Sequence, residues 1–599
     1  MHLEPSDWLV IALYFAVSAA IGLAYTRRAG QSLADYFVSG RSLPWWLAGT
    51  SMVATTFAAD TPLVVAGLVA KYGVAGNWLW WNGAFSGVLT VFFFSRLWRR
   101  AGVLTDVEFA ELRYGGRPAA VLRGFRAVYL AVPINLIIMG WVTRAMVTIL
   151  QITLDVNPWV AATVIFGVTA AYSVLSGLWG VIVTDAFQFV FAMGGSILLA
   201  VLAVQSVGGL DVLVDRTAQH YGSTEAAFGV IPPTDQAWLP LSTLVVFLAV
   251  QWWAAWYPGQ EPGGGGYVVQ RILSAKDERH GLLATLWFTI AHYAVRPWPW
   301  ILVGFVAVLR YPDLPNPEEG YVRVMVDILP SPAKGLLLAA FTAAYMSTIS
   351  THLNWGASYL VNDVYLRFVR PDAGPRAQVV ASRVATVVLM VCSLVVMSFL
   401  SSVEQGWKLL IGLGAGTGLV FILRWYWWRV NAWSEISAMA ASFIASVVLG
   451  VFGYDLGDPG SRSYAQTMLI IVAVTTAVWL AVTFLTPAES DVTLERFYRQ
   501  VRPGGPGWRR VAERLGFGSD RIPGGALSWL NWVAGLASVY SAVFALGAML
   551  TGSPGRGVLY AALSIGAFSL IQRNLRADEQ LNARVDTAGG PGLGLGQSR

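Results

Sequence analysis

Long apolar runs separated by short polar connections fill this chain from end to end. About fifteen reach the length a helix needs to cross a ~30 Å hydrocarbon layer, over residues 8–25, 44–70, 78–98, 121–150, 159–176, 181–205, 239–257, 282–308, 336–361, 378–400, 408–428, 433–451, 468–485, 527–550 and 558–571. Two of them break the pattern. The second, read through Ser51 to Gly67 (SMVATTFAADTPLVVAG), gathers Thr55, Thr56, Asp60, Thr61 and Pro62 in its middle. Proline removes a backbone donor and disturbs the turn before it, so this run predicts an interrupted helix with carbonyls released near Ala54 to Ala58. The ninth carries Ser347, Thr348, Ser350 and Thr351, four hydroxyls within five residues. At helical spacing Ala340, Ala344, Ser347, Thr351, Asn354 and Ser358 share one narrow face, with Thr348 and Ser350 at its margins. Taken alone, that stripe reads first as a close-packing face with hydroxyls bonded back to their own helix, and only second as a ligand face.

Composition turns the runs into membrane spans. The chain is 56% hydrophobic and 12% charged with a mean hydropathy of +0.57, values that exclude an ordinary soluble domain. The first run follows Glu4 and Asp7 and precedes Arg27 and Arg28, so it lacks the basic start of a signal peptide and is expected to be retained. The lone Cys392 excludes an intramolecular disulfide framework.

Charge placement then predicts topology. With the N-terminus outside, the inside connections hold Arg27, Arg28 and Arg41, then Arg96 to Arg123, then Arg271, Lys276 and Arg279, then Arg367, Arg370 and Arg376; later inside loops and the tail are again Arg-rich. The alternate connections are acidic or mixed, which is the positive-inside pattern. The basic residues therefore report orientation, with no nucleic-acid partner implied, and the expected location is a bacterial cytoplasmic membrane with the C-terminus inside. No nucleophile with a base and no transition-metal cluster marks an enzyme, and no obligate protein partner is evident. Five histidines are scattered, and His292 reads as a core residue.

Several motifs in fixed order narrow the field. DYFVSGRSLPWW at residues 35–46, EFAELRYG within 105–116, SGLWGVIVTDAFQ after Ser176, YVVQRILSAKD at 267–277, and MSTISTHLN followed by NDVY at 362–365 together resemble the sodium:solute symporters of the sodium/glucose and sodium/proline type. The resemblance spans roughly residues 35–428. It implies an all-α polytopic membrane protein with a leucine-transporter-like core of two inverted five-helix repeats, one helix before the core and about four after it. Mapped on this chain, residues 1–43 are a peripheral helix and inside loop, and 44–428 are the core, divided into repeats at 44–205 and 239–428. Residues 429–573 add helices with an Arg-rich inside loop at 486–526, read as a solvated connector or short amphipathic element, and 574–599 form a flexible inside tail.

The resemblance also implies sodium as the coupling ion. Matched by position, the backbone carbonyls of Ala54, Phe57 and Ala344 and the hydroxyls of Ser347 and Thr348 would hold one sodium, and Asp185, Ser347, Ser350 and Thr351 a second. Depth is an independent check: at ~1.5 Å per residue across ~30 Å, Ser347 and Ala54 both fall near mid-membrane, while Asp185 comes out with Ser350 and Thr351 roughly 8 Å above the inner face. Hydroxyls, carbonyls and carboxylates are hard oxygen donors that suit sodium, although a titrating Asp185 would let a proton take its place.

Solute contacts are expected at Asp60 and Thr61 in the broken second run, and at Gln251, Trp252 and Trp253 in its repeat partner, the seventh. There the chain departs from the family pattern with PGQEPGGGG at 258–266, whose glycines read by default as a slack inner loop, or else as a hinge for a gate. Asp60 and Arg296 come out at similar heights and are expected to pair, as an ion pair or an outer gate. The expected function is a sodium-coupled symporter of a small organic solute, such as an amino acid, sugar or polyol. A proton-coupled symporter and a non-transporting solute sensor are the alternatives.

Overall fold

A backbone in hydrocarbon has no water to pair with, so each apolar run closes its hydrogen bonds within itself. Helices occupy all fifteen runs in the computed structural model. Residues 3–26, 41–103, 105–173, 178–231, 240–253, 262–454, 461–518 and 521–587 are described. Among them no strand forms, and the single β contact is a bridge between Leu43 and Ala275.

Helix α1 (Pro5–Thr26) precedes the expected break: α2 (Trp45–Thr55) and α3 (Asp60–Tyr72) meet at 62°. Pro62 lies in the first turn of α3, where its missing donor costs the helix nothing, and it leaves the carbonyl four residues back without an intrahelical partner. The third run ends in α4 (Ser95–Ala101), after which the short α5 (Phe109–Arg113) leads to the long fourth run, finished by α6 (Asn135–Leu154). α7 (Pro158–Ser173) and α8 (Leu178–Ser206) close the first half. α8 packs against α1, α2 and two later helices, α12 (Pro297–Arg310) and α14 (Ala333–Ser358).

The second half repeats the break. α9 (Leu241–Ala249) is followed by a tight turn at Gln251–Trp253, and after residues outside the described set the chain resumes as α10 (Gly266–Ser274). The eighth run is α11 (Glu278–Ile290) joined through a π turn at Ala291–Val295 to α12; α13 (Glu319–Ile328) then lies over the outer end, before α14. α15 (Pro375–Phe399), α16 (Val403–Gly414) and α17 (Gly418–Tyr426) complete the core. Beyond it α18 (Ala432–Val451) pairs with α19 (Arg462–Leu485), and α21 (Gly525–Leu550) with α22 (Pro554–Thr587), with α20 (Asp491–Val501) between the pairs. Eight described helices are individually long and apolar enough to cross a membrane, and the bent α2–α3 pair makes a ninth. Among the described residues, Pro5–Ser18 of α1 and Pro158–Gly167 of α7 are shorter apolar stretches.

Contacts sort onto two faces. Ends expected outside meet one another, as in Gly335 N–H to Asp7 and Lys71 to Glu404; ends expected inside do likewise, as in Arg100 to Glu278 and Arg123 to Asp363.

One expectation is narrowed and two are corrected. Of the two readings of the loop at 486–526, the short amphipathic element is the one the structure holds: α20 buries Leu494, Phe497, Tyr498 and Val501, Trp508 donates to the Trp425 carbonyl, and Glu489 accepts from Gly115 N–H. The tail is helical to Thr587, with Asp578 paired to Arg96; residues 588–599 lie outside the described set. Arg113 and Arg271, counted above as inside-loop charges, are both fully buried. Arg113 donates to the carbonyls of Arg424, Trp427 and Val430, closing the C-terminal end of α17.

Candidate functional site

Asp185 sits on the face of α8 that meets α2 and α14, 1% exposed. A carboxylate at that depth is costly unless hydrogen-bonded and compensated. It is both. Ser347 Oγ of α14 donates to Oδ1 at 2.8 Å, and Ser51 Oγ and Thr55 Oγ1 of α2 donate to Oδ2 at 3.0 and 3.4 Å. Arg271 of α10 brings its NH2 nitrogen to 3.8 Å from Oδ2, while its Nε and NH2 donate to Ser51 Oγ and Thr55 Oγ1 at 3.4 and 3.2 Å. Four helices from both halves of the chain thus converge on one carboxylate.

The local sequence explains how α10 delivers that guanidinium. Tyr267, Val268, Arg271 and Ile272 share a face of a short amphipathic helix, and all four are buried. The glycines before it are held rather than slack. Gly263 and Gly264 have φ of +89° and +81°, which side-chain-bearing residues rarely adopt, and they pack on Phe94, Thr90 and Trp98. Trp98 Nε1 donates to the Gly263 carbonyl, and Asp106 accepts both from Gly266 N–H at 3.1 Å and from the Tyr359 hydroxyl. At its other end α10 is tied to the start of α2, where Leu43 N–H meets the Ser274 carbonyl and Lys276 N–H the Leu43 carbonyl.

The first expected ion site lies where α2 ends. Residues 56–59 leave the helix, and the Phe57 ring stacks on Phe341 of α14 at 6.2 Å, setting the break against the hydroxyl stripe. The Ala54 carbonyl accepts from Phe57 N–H at 2.9 Å and keeps a second lone pair. Ala344 and Phe57 are buried. On α14 the hydroxyls of Thr342 and Ser358 bond back to Leu338 and Trp355, as a packing face would. Ser347 instead turns to Asp185, and Thr348 Oγ1 is buried with no hydrogen-bond partner among the described residues. A buried hydroxyl without a protein partner is a hard oxygen donor of the kind a small cation takes.

For the second site the sequence reading needs adjustment. Asp185 meets Ser347, about one turn higher than counted. Its hydrogen-bond partners are Ser51, Thr55 and Ser347; Ser350 is buried and Thr351 half-buried nearer the inner face, and neither bonds to it directly.

Asp60 and Arg296 are both buried near the break but do not form the expected direct pair. Asp60 Oδ2 accepts from Trp141 Nε1 at 2.9 Å and Oδ1 from Thr61 Oγ1 at 3.4 Å. Arg296 donates to Thr56 Oγ1 at 2.8 Å and to the Val53 carbonyl at 3.3 Å, capping α2, and its charge reaches Asp60 only through the field. Thr61 Oγ1 also donates to the Thr56 carbonyl at 3.2 Å, so two threonines separate guanidinium from carboxylate. His292 Nδ1 lies 3.2 Å from Thr56 Oγ1, the core position expected for it.

Trp252 packs on Phe85, Trp253 and Trp532, an aromatic cluster that joins the core to the α21–α22 hairpin, away from the α2–α3 break. The Gln251 side chain lies outside the described residues. Sequence reading missed Ser51, Arg271 and Asp106 as parts of the site. The signal for Arg271 was a charged residue on the apolar face of the YVVQRILS helix.

The profile of the sodium:solute symporter family matches residues 36–444. A sodium/glucose cotransporter of Vibrio parahaemolyticus is 25% identical over 523 residues, covering 82% of this chain and 93% of that protein. Sodium/glucose cotransporter 1 of Oryctolagus cuniculus is 24% identical over 557 residues, covering 83% and 82%. Among solved structures, a Na+-coupled sialic acid symporter in a substrate-bound outward-open state superposes with a TM-score of 0.65 at 22% identity, over 81% of this chain and 99% of that one. This likeness gives the architecture: a leucine-transporter-like fold.

Proposed function

This chain belongs to the sodium:solute symporter family, and we propose that it couples sodium entry to uptake of a small organic solute by alternating access across the α2–α3 break. The observation that carries the reading is Thr348 Oγ1, a buried hydroxyl on the α14 stripe with no partner among the described residues, next in sequence to Ser347, which reaches Asp185. Sodium there would be held by the Ala54, Phe57 and Ala344 carbonyls with Ser347 and Thr348, and a second ion by Asp185 with Ser347, Ser350 and Thr351. Because it joins the broken helix to α14, the first ion would favour one conformation and tighten solute binding, and solute would tighten sodium by the same factor.

Asp60 and Thr61 remain the solute contacts this reading favours, since both are buried at the break and Trp141 adds an aromatic wall. Trp252 fits it less well, being packed on Trp532 of the peripheral hairpin, and Trp253 lies against Trp252 and Gly418 of α17. Topology follows from the charge pattern, with the N-terminus outside.

The test is purified protein in liposomes with a panel of sugars, polyols and amino acids. Thermal stabilisation by a solute that grows with sodium, followed by uptake driven by a sodium gradient, is the expected result. Uptake driven only by a proton gradient would replace sodium with a proton, and binding without accumulation would make the protein a sensor.

A further inference from the structure

We infer that Arg271 is a tethered counter-ion that competes with sodium for Asp185. The inference rests on the reading of Asp185 as an ion ligand and adds what occupies that ligand when sodium is elsewhere.

The geometry has three parts. First, Asp185 is 1% exposed and its Oδ2 faces the Arg271 NH2 nitrogen at 3.8 Å, longer than a direct hydrogen bond. Ser51 stands between them, donating to the carboxylate and accepting from the guanidinium, and Thr55 accepts from the guanidinium while its hydroxyl proton is shared between the Ser51 carbonyl at 2.8 Å and the carboxylate at 3.4 Å. The pair is electrostatically matched without being closed, so an ion that takes Oδ2 displaces no short contact between the two charges. Second, the positions differ in attachment. Asp185 and Ser347 belong to α8 and α14, which pack on each other, whereas Arg271 rides on α10, a nine-residue helix joined to the rest of its run through the glycines at 263–266. Third, α10 is bound to α2 at its inner end through Leu43 and Ala275. The inner halves of both broken helices are therefore joined to each other, and α2 packs on α8 and α14 with Asp185 among the contacts.

A guanidinium stays charged at any physiological pH, and a buried carboxylate left alone is costly. With Arg271 in place, Asp185 is compensated when no sodium is bound, and the ion-free carrier can change conformation without exposing a lone buried charge. When sodium arrives, two cations contend for one carboxylate. Arg271 then weakens sodium binding at this site, which is what release on the inner side requires.

Removing the competitor should strengthen the ion. In the purified full-length protein, 22Na+ binding is measured at constant ionic strength with choline replacing sodium, and the Asp185→Asn curve defines the component that does not belong to this site. Arg271→Gln is expected to lower the sodium half-saturation of the Asp185 component roughly tenfold. Arg271→Lys, with a shorter reach toward Asp185, is expected to lower it by a smaller factor, and it carries the test if the glutamine variant does not fold. A half-saturation that is unchanged or raised in either variant overturns the competition. If Asp185→Asn binds sodium as the unmodified protein does, the ion-site reading itself fails, an outcome distinct from failure of Arg271 to compete.

Discussion

Ser347 Oγ donates to Asp185 Oδ1 at 2.8 Å, while its neighbour Thr348, one residue along the same helix, holds a buried hydroxyl with no bonding partner among the described residues. Two adjacent hydroxyls on one stripe therefore have different duties in the absence of an ion. Ser347→Ala removes a hydrogen bond from a buried carboxylate and should destabilise the protein by about 1–3 kcal/mol. Thr348→Val keeps the buried volume and removes only a hydroxyl without a protein partner, so it should change stability by about 0.5 kcal/mol or less. Its stabilisation by sodium should nevertheless weaken by roughly tenfold in half-saturation. Thermal unfolding with sodium or choline separates the two. Equal stability losses in both variants, with sodium stabilisation intact, would return α14 to a packing role.

The contrast between these two residues shows what the sequence could and could not carry. Fifteen apolar runs, the break at Pro62 and the hydroxyl stripe were legible because each is written locally, in hydropathy, proline chemistry or helical spacing. The level of Asp185 was misjudged by a turn because depth was counted from helix starts, which are poorly marked in uniformly apolar sequence. Arg271 was read as a loop charge because positive charge near a span end normally reports orientation; its burial follows from the long-range contact of α10 with α2 and α8, which no local pattern encodes. The same limit hid the docking of α20, whose apolar face was visible but whose partners, Trp508 and the α4–α5 region, were not.

The glycine run gives a backbone prediction. Gly263 has φ of +89°, and a Cβ there would stand 3.1 Å from the Phe94 ring. Gly263→Ala should cost about 1–2 kcal/mol through the left-handed conformation alone, whereas Gly555→Ala, which meets nothing within 4 Å, should be close to neutral. Comparison of their unfolding temperatures is the measurement. A neutral Gly263→Ala would mean that the segment is slack after all.

On the outer face, Glu318 gives a pH dependence with a definite sign. Its carboxylate oxygens accept from Val403 and Glu404 N–H at 3.0 Å each, at the start of α16, and it packs on Gly67 of α3. Burial pushes its pKa from 4.5 up to about 7, with the Glu404 charge adding to the rise and the α16 amides and Lys71 opposing it. Lys408 pairs with Glu404 at 2.8 Å. The folded protein then holds a proton between about pH 4.5 and 7 that the unfolded chain releases. This contribution is fully present below about 4.5 and is lost as pH rises through about 7, a change of roughly 3 kcal/mol. Unfolding temperatures of the parent protein should therefore fall relative to Glu318→Gln between pH 5 and 7.5. A constant difference across that range would show that Glu318 keeps an ordinary pKa.

The two charges at the break yield the last prediction. Had Asp60 and Arg296 been a direct ion pair, exchanging them would preserve the attraction and rescue what either single reversal destroys. Here each charge is seated by its own partners: Asp60 by Trp141 Nε1 and Thr61, and Arg296 by Thr56 Oγ1 and the Val53 carbonyl. Moved to position 60, an arginine would face an indole N–H that can only donate, and an aspartate at position 296 would face a carbonyl that can only accept. The double exchange Asp60→Arg with Arg296→Asp should therefore be no more stable than the worse single variant, and single reversals should each cost about 3–5 kcal/mol as unpaired buried charges. Trp141→Phe, which removes the indole donor to Asp60 Oδ2, should cost about 1–3 kcal/mol while leaving the Arg296 bonds to Thr56 and Val53 in place. Folding yield and unfolding temperature decide the matter, and a double exchange that recovers the parent's stability would restore the direct pair.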